Sequence, residues 1–504
     1  MTEATTRRAS PRRPTTPATP TPLRVAASAR AREGVRTPND DFHDWFGALA
    51  ERSYTRVERV PLDGLDGWET DPRTGNLRHH TGRFFTVEGL DVRIPGGPVP
   101  AWSQPIINQP EIGVLGILVK EFDGVLHCLM QAKVEPGNAG GLQISPTVQA
   151  TRSNYTGVHG GRPVPYLDLF RDPGPRGPLV DVRQSEQGSA FHHKRNRNMV
   201  VEADGEVEVH EGFRWFTLGQ LHRLLAERDL VNMDARTVLS CLPFAHAELA
   251  RELGPPADPF RAALFRSCDP TAGSRHSLGS VLSWITEART RTEVRAHRVP
   301  LAGLPGWHRT RDRVSHESGA FFDVIGVRVE ARGREVAGWS QPMIEPHGTG
   351  VVAFLTRTLD GVLHVLMHAR AEAGYMDVVE LAPTVQCTPD SYAYLPESAR
   401  PRFLDEVERA EPGRIRFQSV LSEEGGRFHH ALNRYLIVDT DGGPGARADV
   451  PPDDPDYRWM TVHQLVELLR HSHYLNIQAR SLVACLQSLL VPEEPAPTTE
   501  RKVR

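Results

Sequence analysis

The chain repeats itself. Displaced by 237 residues, it sets Trp102-Ser103-Gln104-Pro105 on Trp339-Ser340-Gln341-Pro342, Gly124-Val125-Leu126-His127 on Gly361-Val362-Leu363-His364, and Pro146-Thr147-Val148-Gln149 on Pro383-Thr384-Val385-Gln386. Ser185-Glu186, Phe191-His192-His193 and Asn196-Arg197 fall on Ser422-Glu423, Phe428-His429-His430 and Asn433-Arg434. Past a Pro-, Gly- and Asp-rich excess between Gly442 and Pro455 the displacement becomes 244, and Asn232, Ala235-Arg236 and Cys241-Leu242 meet Asn476, Ala479-Arg480 and Cys485-Leu486. A period of this length is a domain rather than a solenoid unit. The chain therefore reads as a disordered tail over residues 1–35, a first repeat over 36–255, a linker over 256–275, a second repeat over 276–495 and a short tail over 496–504.

Apolar patterning gives each repeat a mixed α+β, sheet-centred character. Residues 113–118 and 124–131 alternate around Phe122-Asp123-Gly124, a hairpin signature that returns at Asp360-Gly361. Residues 84–92 and 198–202 also read as strands, whereas 217–226 and 234–242 have helical spacing, with Asp234 as a cap. The 59 Lys and Arg nearly balance 63 Asp and Glu, which gives no electrostatic reason to expect nucleic acid or a membrane surface. No apolar run is long enough to span a bilayer. The tail carries Arg7-Arg8 and Arg12-Arg13 without the apolar stretch of a signal peptide. Five scattered cysteines without a C-x-x-C read as reduced thiols of a cytoplasmic protein, with no zinc site and no disulfide frame.

Core periodicity does not explain why both copies keep polar residues. In the first copy these are Trp102, Gln104, Gln149, Glu186, His193, Asn196, Arg197, Asn232 and Arg236; in the second they include Trp339, Gln341, Gln386, Arg434, Asn476 and Arg480. Trp-Ser-Gln-Pro reads either as an edge turn packed on the sheet or as an aromatic platform with an adjacent amide, suited to a ring or sugar. The Asn-x-x-x-Arg pairs, Asn232 with Arg236 and Asn476 with Arg480, share one helix face. They suit either a structural bond to the other copy or a grip on phosphate oxygens. In a strand, His192 and His193 would point to opposite faces.

The copies diverge where motifs are densest. Gln131-Ala132-Lys133-Val134-Glu135-Pro136-Gly137-Asn138 faces His368-Ala369-Arg370-Ala371-Glu372-Ala373-Gly374-Tyr375, and Ala150-Thr151-Arg152-Ser153-Asn154-Tyr155 faces Cys387-Thr388-Pro389-Asp390-Ser391-Tyr392. Lys194-Arg195 stands opposite Ala431-Leu432, so two of the chain's four lysines fall in motif-rich parts of the first copy. If one copy alone is active, these differences point to the first.

Taken together, Trp-Ser-Gln-Pro at 102, Gln-Ala-Lys-x-Glu-Pro-Gly-Asn at 131, Ser-Pro-Thr-Val-Gln-Ala-Thr-x-Ser-Asn-Tyr at 145, Gln-Ser-Glu-Gln-Gly at 184 and Lys-Arg-Asn-Arg-Asn-Met at 194 resemble the NDP-hexose 2,3-dehydratase family of deoxysugar biosynthesis, over residues 40 to 490. The resemblance implies tandem Nudix-like repeats and a homodimer. It also implies a dTDP-4-keto-6-deoxyhexose substrate, and a 3,4-diketo-2,6-dideoxy product handed to an NADPH-dependent 3-ketoreductase on the way to a glycosylated natural product. A Nudix hydrolase would need an acidic, magnesium-holding helix after its hairpin, yet residues 140–155 contain no acidic residue. The diphosphate is thus expected to be bound and left intact, with no metal.

Such a dehydration needs a base at C3, a donor on the C4 oxygen and an acid on the departing C2 hydroxyl. It needs no redox cofactor, and no G-x-G-x-x-G lies between a strand and a helix. Glu135, His193 or Tyr155 are the candidate base or acid, and Lys133 the donor to the C4 oxygen. Arg152, Arg197 and Arg236 would hold the diphosphate, and Trp102 or Tyr155 would stack on base or sugar. Ser153 and Asn154 complete the candidate binding residues. A plain Lys133–Glu135 salt bridge is the structural alternative. A nucleotide-sugar binding protein, a diphosphate hydrolase and a purely structural scaffold are the competing functional readings.

Overall fold

The computed structural model describes residues 19–39, 41–151, 163–331, 337–441 and 450–491. Each copy builds a seven-stranded mixed sheet. In the first, the order is Val180–Ser185, Arg195–Glu202, Gly113–Phe122, Val125–Val134, Phe213–Thr217, with Leu142–Ser145 and Val148–Ala150 alongside the central hairpin. The second copy repeats this with Ile415–Ser422, Leu432–Asp439, Gly350–Leu359, Val362–Ala371 and Tyr457–Met460. Arg195–Glu202 runs parallel to Gly113–Phe122, as Leu432–Asp439 does to Gly350–Leu359. The expected hairpin turns are present: Asp123 and Gly124 have φ of 48° and 80°, and Asp360 and Gly361 of 49° and 78°. Positive φ at both positions follows the twist of the flanking strands, and Asp-Gly tolerates it.

The smaller sheets do not respect the boundary between copies. Thr55–Val60, the first strand of copy one, pairs antiparallel with Phe322–Ala331 of copy two, and Arg295–Val299 of copy two pairs with Thr86–Arg93 of copy one. The Trp-Ser-Gln-Pro blocks lie within the strands Ala101–Asn108 and Gly338–Pro346 rather than at an edge turn. Trp68 of copy one donates its indole N–H to the Ser340 carbonyl at 2.7 Å, and Trp307 of copy two does the same to Ser103 at 2.7 Å.

The repeat is also longer than its polar motifs suggested. Thr21–Arg30, expected in the tail, and Pro259–Cys268, expected in the linker, are corresponding helices buried against the two large sheets. Ser28 accepts from the Leu218 N–H at 2.9 Å, and Ser267 from the Val462 N–H at 2.8 Å. The two segments share little more than a leading Pro and this Ser, which is why their kinship is hard to read. All five cysteines are free; Cys241 and Cys485 lie in the helices Met233–Ser240 or just beyond it and Ile477–Ser488, where burial pushes their thiols up to about 11 and about 12.

Those two helices carry the Asn-x-x-x-Arg pairs. Asn232 and Asn476, not Asp234, are the N-caps, each accepting from the N–H three residues on at 2.8 Å. Arg236 is fully buried and donates to Val231 O of its own copy at 2.5 Å and to Ser422 O of the other at 2.6 Å. Arg480 does the reciprocal, to Leu475 O and Ser185 O, each at 2.6 Å. Both guanidiniums are therefore committed to joining the copies, and the expectation that Arg236 holds a diphosphate is not met. Arg480→Met should lower stability by about 1–3 kcal/mol for each carbonyl left unpaired, read as a shifted midpoint in urea unfolding. A phosphate-binding arginine would instead leave the midpoint in place.

Candidate active site

A cavity of about 520 Å³ lies over the large sheet of the first copy, a size suited to a small organic ligand. Its floor is Lys133, Glu135, Gln149, Glu186, Lys194, Asn196 and Asp234. Trp68, His79, His80, Phe84 and Phe85 form one wall. Copy two supplies further lining: Trp339, Ser340 and Gln341 from one strand, and Glu424, Gly426 and Arg427 from a loop.

Two backbone approaches hold that loop in place. A Cβ on Gly137 would collide with the Phe428 carbonyl, and one on Gly425 with Asn138 and Glu135, so both positions need glycine. Gly137 N–H donates to Gly425 O at 2.7 Å, and His430 N–H to Gly137 O at 2.8 Å. The mirrored contact has Gly374 N–H on Gly188 O at 2.8 Å and His193 N–H on Gly374 O at 2.9 Å. The Gly in each Glu-x-Gly motif is thus fixed by contact with the other copy.

Lys133 and Glu135 form an ion pair at 2.7 Å with both side chains largely buried at the cavity floor. Glu186 accepts from Asn196 Nδ2 at 2.6 Å through Oε1, while its Oε2 is buried with no partner among the described residues. Burial raises its pKa, opposed by Arg480 and Lys194. Asp234 is held well above the usual carboxylate range by burial and by Glu186, Glu424 and Glu135. Glu424 is pushed up to about 7 by burial first, while Arg427 opposes. Lys194 bonds the Glu111 carbonyl and is lowered to about 8, chiefly by burial. Arg427 stacks 4.2 Å from the Phe85 ring centroid, and its Nε is buried without a partner among the described residues.

Of the residues singled out in sequence, the fold brings Lys133, Glu135, Gln149, Glu186, Asn196, Trp339 and Gln341 to the cavity. Trp102 and Gln104 lie elsewhere: Trp102 packs on Leu90, Val92 and Ala373 and donates to Gln104 at 2.8 Å, and Gln104 donates to Ser189 O at 2.6 Å. Arg197 forms a partly exposed pair with Asp181 at 2.6 Å, and Arg434 is half-buried in its strand, so neither faces the cavity. Asn232 and Asn476 are caps, and Gln386 is tied to Asn476 at 2.7 Å and to Glu372 at 3.3 Å. His193 does not line the cavity and is exposed in a turn with φ of 54°. Its ring stacks on His192 at 4.0 Å instead of pointing to the opposite face, because the chain turns there to meet Gly374. Arg152, Ser153, Asn154 and Tyr155 lie outside the described residues.

The sequence reading missed Trp68, His79, His80, Asp234 as a cavity group, Glu424 and Arg427. A signal for four of the cavity's ionisable groups did exist in the differences between copies. Lys194, Asp234, Glu424 and Arg427 correspond to Ala431, Gln478, Gln187 and Ala190. The neutral set surrounds the other copy's Glu423, which is bound by Asn433, Tyr435, Gln187 and Gln478. Around Glu186, Tyr435 is replaced by Asn198, which donates to the Asn196 carbonyl instead, Gln187 by Glu424 and Gln478 by Asp234, so that of the four equivalent positions Asn196 is the one that donates to Glu186.

The NDP-hexose 2,3-dehydratase family model matches residues 39–242 and 278–486. The dTDP-4-dehydro-6-deoxy-alpha-D-glucopyranose 2,3-dehydratase of Saccharopolyspora spinosa is 53% identical over 453 residues, covering 90% of this chain and 92% of the relative. Proteins of the same description from Amycolatopsis orientalis and Streptomyces violaceoruber are 47% and 49% identical over 470 and 459 residues, covering 92% and 90% of this chain and 93% and 98% of the relatives. With both repeats matched and the polar cavity lying between them, the chain belongs to the NDP-hexose 2,3-dehydratase family.

Proposed function

We propose that this protein removes the C2 hydroxyl of a dTDP-4-keto-6-deoxyhexose, giving the 3,4-diketo-2,6-dideoxy sugar, and that it does so in the cavity over the first copy. The observation that carries the reading is the Lys133–Glu135 pair at 2.7 Å, which recurs in the other copy as Arg370–Glu372 but here lies in a cavity with Lys194, Asp234, Glu424 and Arg427, four ionisable groups whose counterparts are neutral. The relatives' descriptions support the choice of sugar nucleotide.

The C4 ketone acidifies the C3 hydrogen. Glu135 takes that proton, and Lys133 donates to the C4 oxygen as enolate charge develops there. When the C4 carbonyl re-forms, the C2–O bond breaks and a C2–C3 double bond appears; the resulting enol then ketonises by gaining a proton at C2. C2 is reduced as C3 is oxidised within one molecule, so the net change is loss of water. Trp68 and Trp339 suit the flat faces of base or sugar, and Arg427, whose Nε has no partner among the described residues, suits the diphosphate better than the committed Arg236. Arg152, Ser153, Asn154 and Tyr155 remain candidates for the same site.

Each repeat is taken as Nudix-like, a reading supported by its mixed sheet backed by helices. A cytoplasmic homodimer that passes its product to an NADPH-dependent 3-ketoreductase fits a reactive diketone that needs prompt reduction. Among the described residues no helix is long and apolar enough to cross a membrane.

Incubated with dTDP-4-keto-6-deoxyglucose in deuterated water, EDTA and no nicotinamide, the protein should form a product that has lost one water and gained deuterium at C2, read by mass spectrometry after reductive trapping. Unchanged substrate that still binds would favour a binding protein, and release of nucleoside monophosphate a hydrolase. Glu135→Gln should lower kcat by about 10²–10⁴ with dTDP affinity little altered; full turnover in a folded variant would remove Glu135 from the mechanism. Arg427→Ala should act mainly on KM and on dTDP affinity measured by calorimetry, and an unchanged dTDP affinity would place the diphosphate elsewhere.

A further inference from the structure

We propose that Glu424, supplied by the second copy, is the acid that protonates the departing C2 hydroxyl in the cavity over the first. This rests on the dehydratase reading above and assigns the acid, a role that reading leaves open.

Glu424 sits on the loop that the Gly137–Phe428 approach presses against the first copy. Its Oε1 accepts from the Gly426 N–H at 2.8 Å, which fixes the carboxyl. Its Oε2 is shielded and has no partner among the described residues, while the side chain as a whole is half-buried because it opens on the cavity. The same turn brings it beside the base: a Cβ built on Gly426 would lie 3.7 Å from Glu135 Oε2. Glu424 lines the cavity next to the base, with its carboxyl fixed through Oε1 and an enclosed Oε2 that has no partner among the described residues, a placement that suits an acid for the adjacent carbon.

The other carboxyls fit the role less well. Glu186 recurs in the second copy as Glu423 and is tied to Asn196, so it belongs to the shared framework. Asp234 has no counterpart carboxylate, yet it is almost wholly enclosed in the first turn of its helix, at 3% exposure. Glu424 is acidic only in the copy whose loop faces this cavity; the corresponding loop of copy one carries Gln187, which donates to Glu423. The groups that bear on Glu424 also favour a held proton. Burial acts first, Glu135 and Glu186 raise its pKa further, and Arg427 and the Gly426 N–H oppose, leaving it at about 7. Lys133, Lys194, Asp234, Asp66, His79 and His80 are the other ionisable groups that line the cavity, and Glu111 stands behind Lys194.

In the step itself, the C2–O bond breaks as the C4 carbonyl re-forms, and its electron pair leaves on oxygen. The Glu424 proton moves to that oxygen, water departs, and Glu424 remains as a carboxylate that solvent reprotonates. Nothing is oxidised or reduced beyond C2 and C3.

The test uses Glu424→Gln with two substrates, dTDP-4-keto-6-deoxyglucose and its 2-deoxy-2-fluoro analogue, from which fluoride can leave without a proton. Dehydration of the natural substrate should fall by about 10²–10⁴, while deuterium exchange at C3 and fluoride release stay near wild-type rates. Undiminished dehydration, or fluoride release that falls in step with it, overturns the proposal. Should the variant fail to fold, wild-type pH–rate profiles decide. Dehydration should decline as pH rises through about 7, where Glu424 loses its proton, relative to fluoride release; parallel profiles overturn the assignment. Wild-type protein that exchanges C3 and releases fluoride but never dehydrates also overturns it. Wild-type protein that does none of the three removes the dehydratase reading together with the proposal.

Discussion

The structure depends on a backbone contact made twice. Gly137 of the first copy and Gly374 of the second each lie so close to a carbonyl of the other copy, Phe428 and Phe191 respectively, that no side chain fits between. Around this pair the copies exchange their first strands and bury Arg236 and Arg480 against each other's carbonyls. A buried guanidinium must satisfy its donors within the protein, and here two of the three acceptors of each arginine come from the partner repeat. The main apolar cluster likewise runs through residues of both copies, from Val25 and Val238 to Leu421 and Leu482. The copies form one cooperative body, and every surface between them is positioned by both.

That mutual framework is nearly symmetric, and the chemistry is placed on its asymmetry. On one side, Asn433, Tyr435, Gln187 and Gln478 surround Glu423 and use up its oxygens. On the other side, substitution at three of those positions leaves one Glu186 oxygen without a partner among the described residues and adds Glu424 and Asp234. The cost of burying so many carboxyls is met by protonation and by Lys133, Lys194 and Arg427, which is why several of these groups titrate far from their ordinary values. Perturbed titration of this kind marks sites built for proton transfer. The framework can carry it because the reciprocal contacts of Arg236 and Arg480 are intact on both sides.

The Asp-Gly hairpins, the central strands and the helices before Leu224 and Ser240 were legible because local rules govern them: positive φ at the turn, alternation in strands, spacing of three and four in helices. The family resemblance was legible in the motif blocks. Parts of the site were less so. Residues kept in both copies, such as Arg236, Arg480, Asn232 and Asn476, proved to be those that join or cap the framework. His192 and His193 looked like strand residues, but a turn meeting Gly374 stacks them instead. Trp102 and Trp339 make equivalent contacts, each donating to the glutamine two residues on and packing on an apolar cluster, yet only Trp339 also lines the cavity.

The sequence by itself determined the duplication, the mixed sheet-centred fold of each copy and the family, because these follow from apolar periodicity and from motif blocks read along the chain, while it left the Lys133–Glu135 salt bridge as one of two readings. Tertiary structure alone decided that the cavity over the first copy is walled by Trp339, Glu424 and Arg427 of the second. Nothing local to those residues specifies it. Their position follows from strand exchange and from two glycines that let one repeat's backbone touch the other's, contacts between segments far apart in the chain.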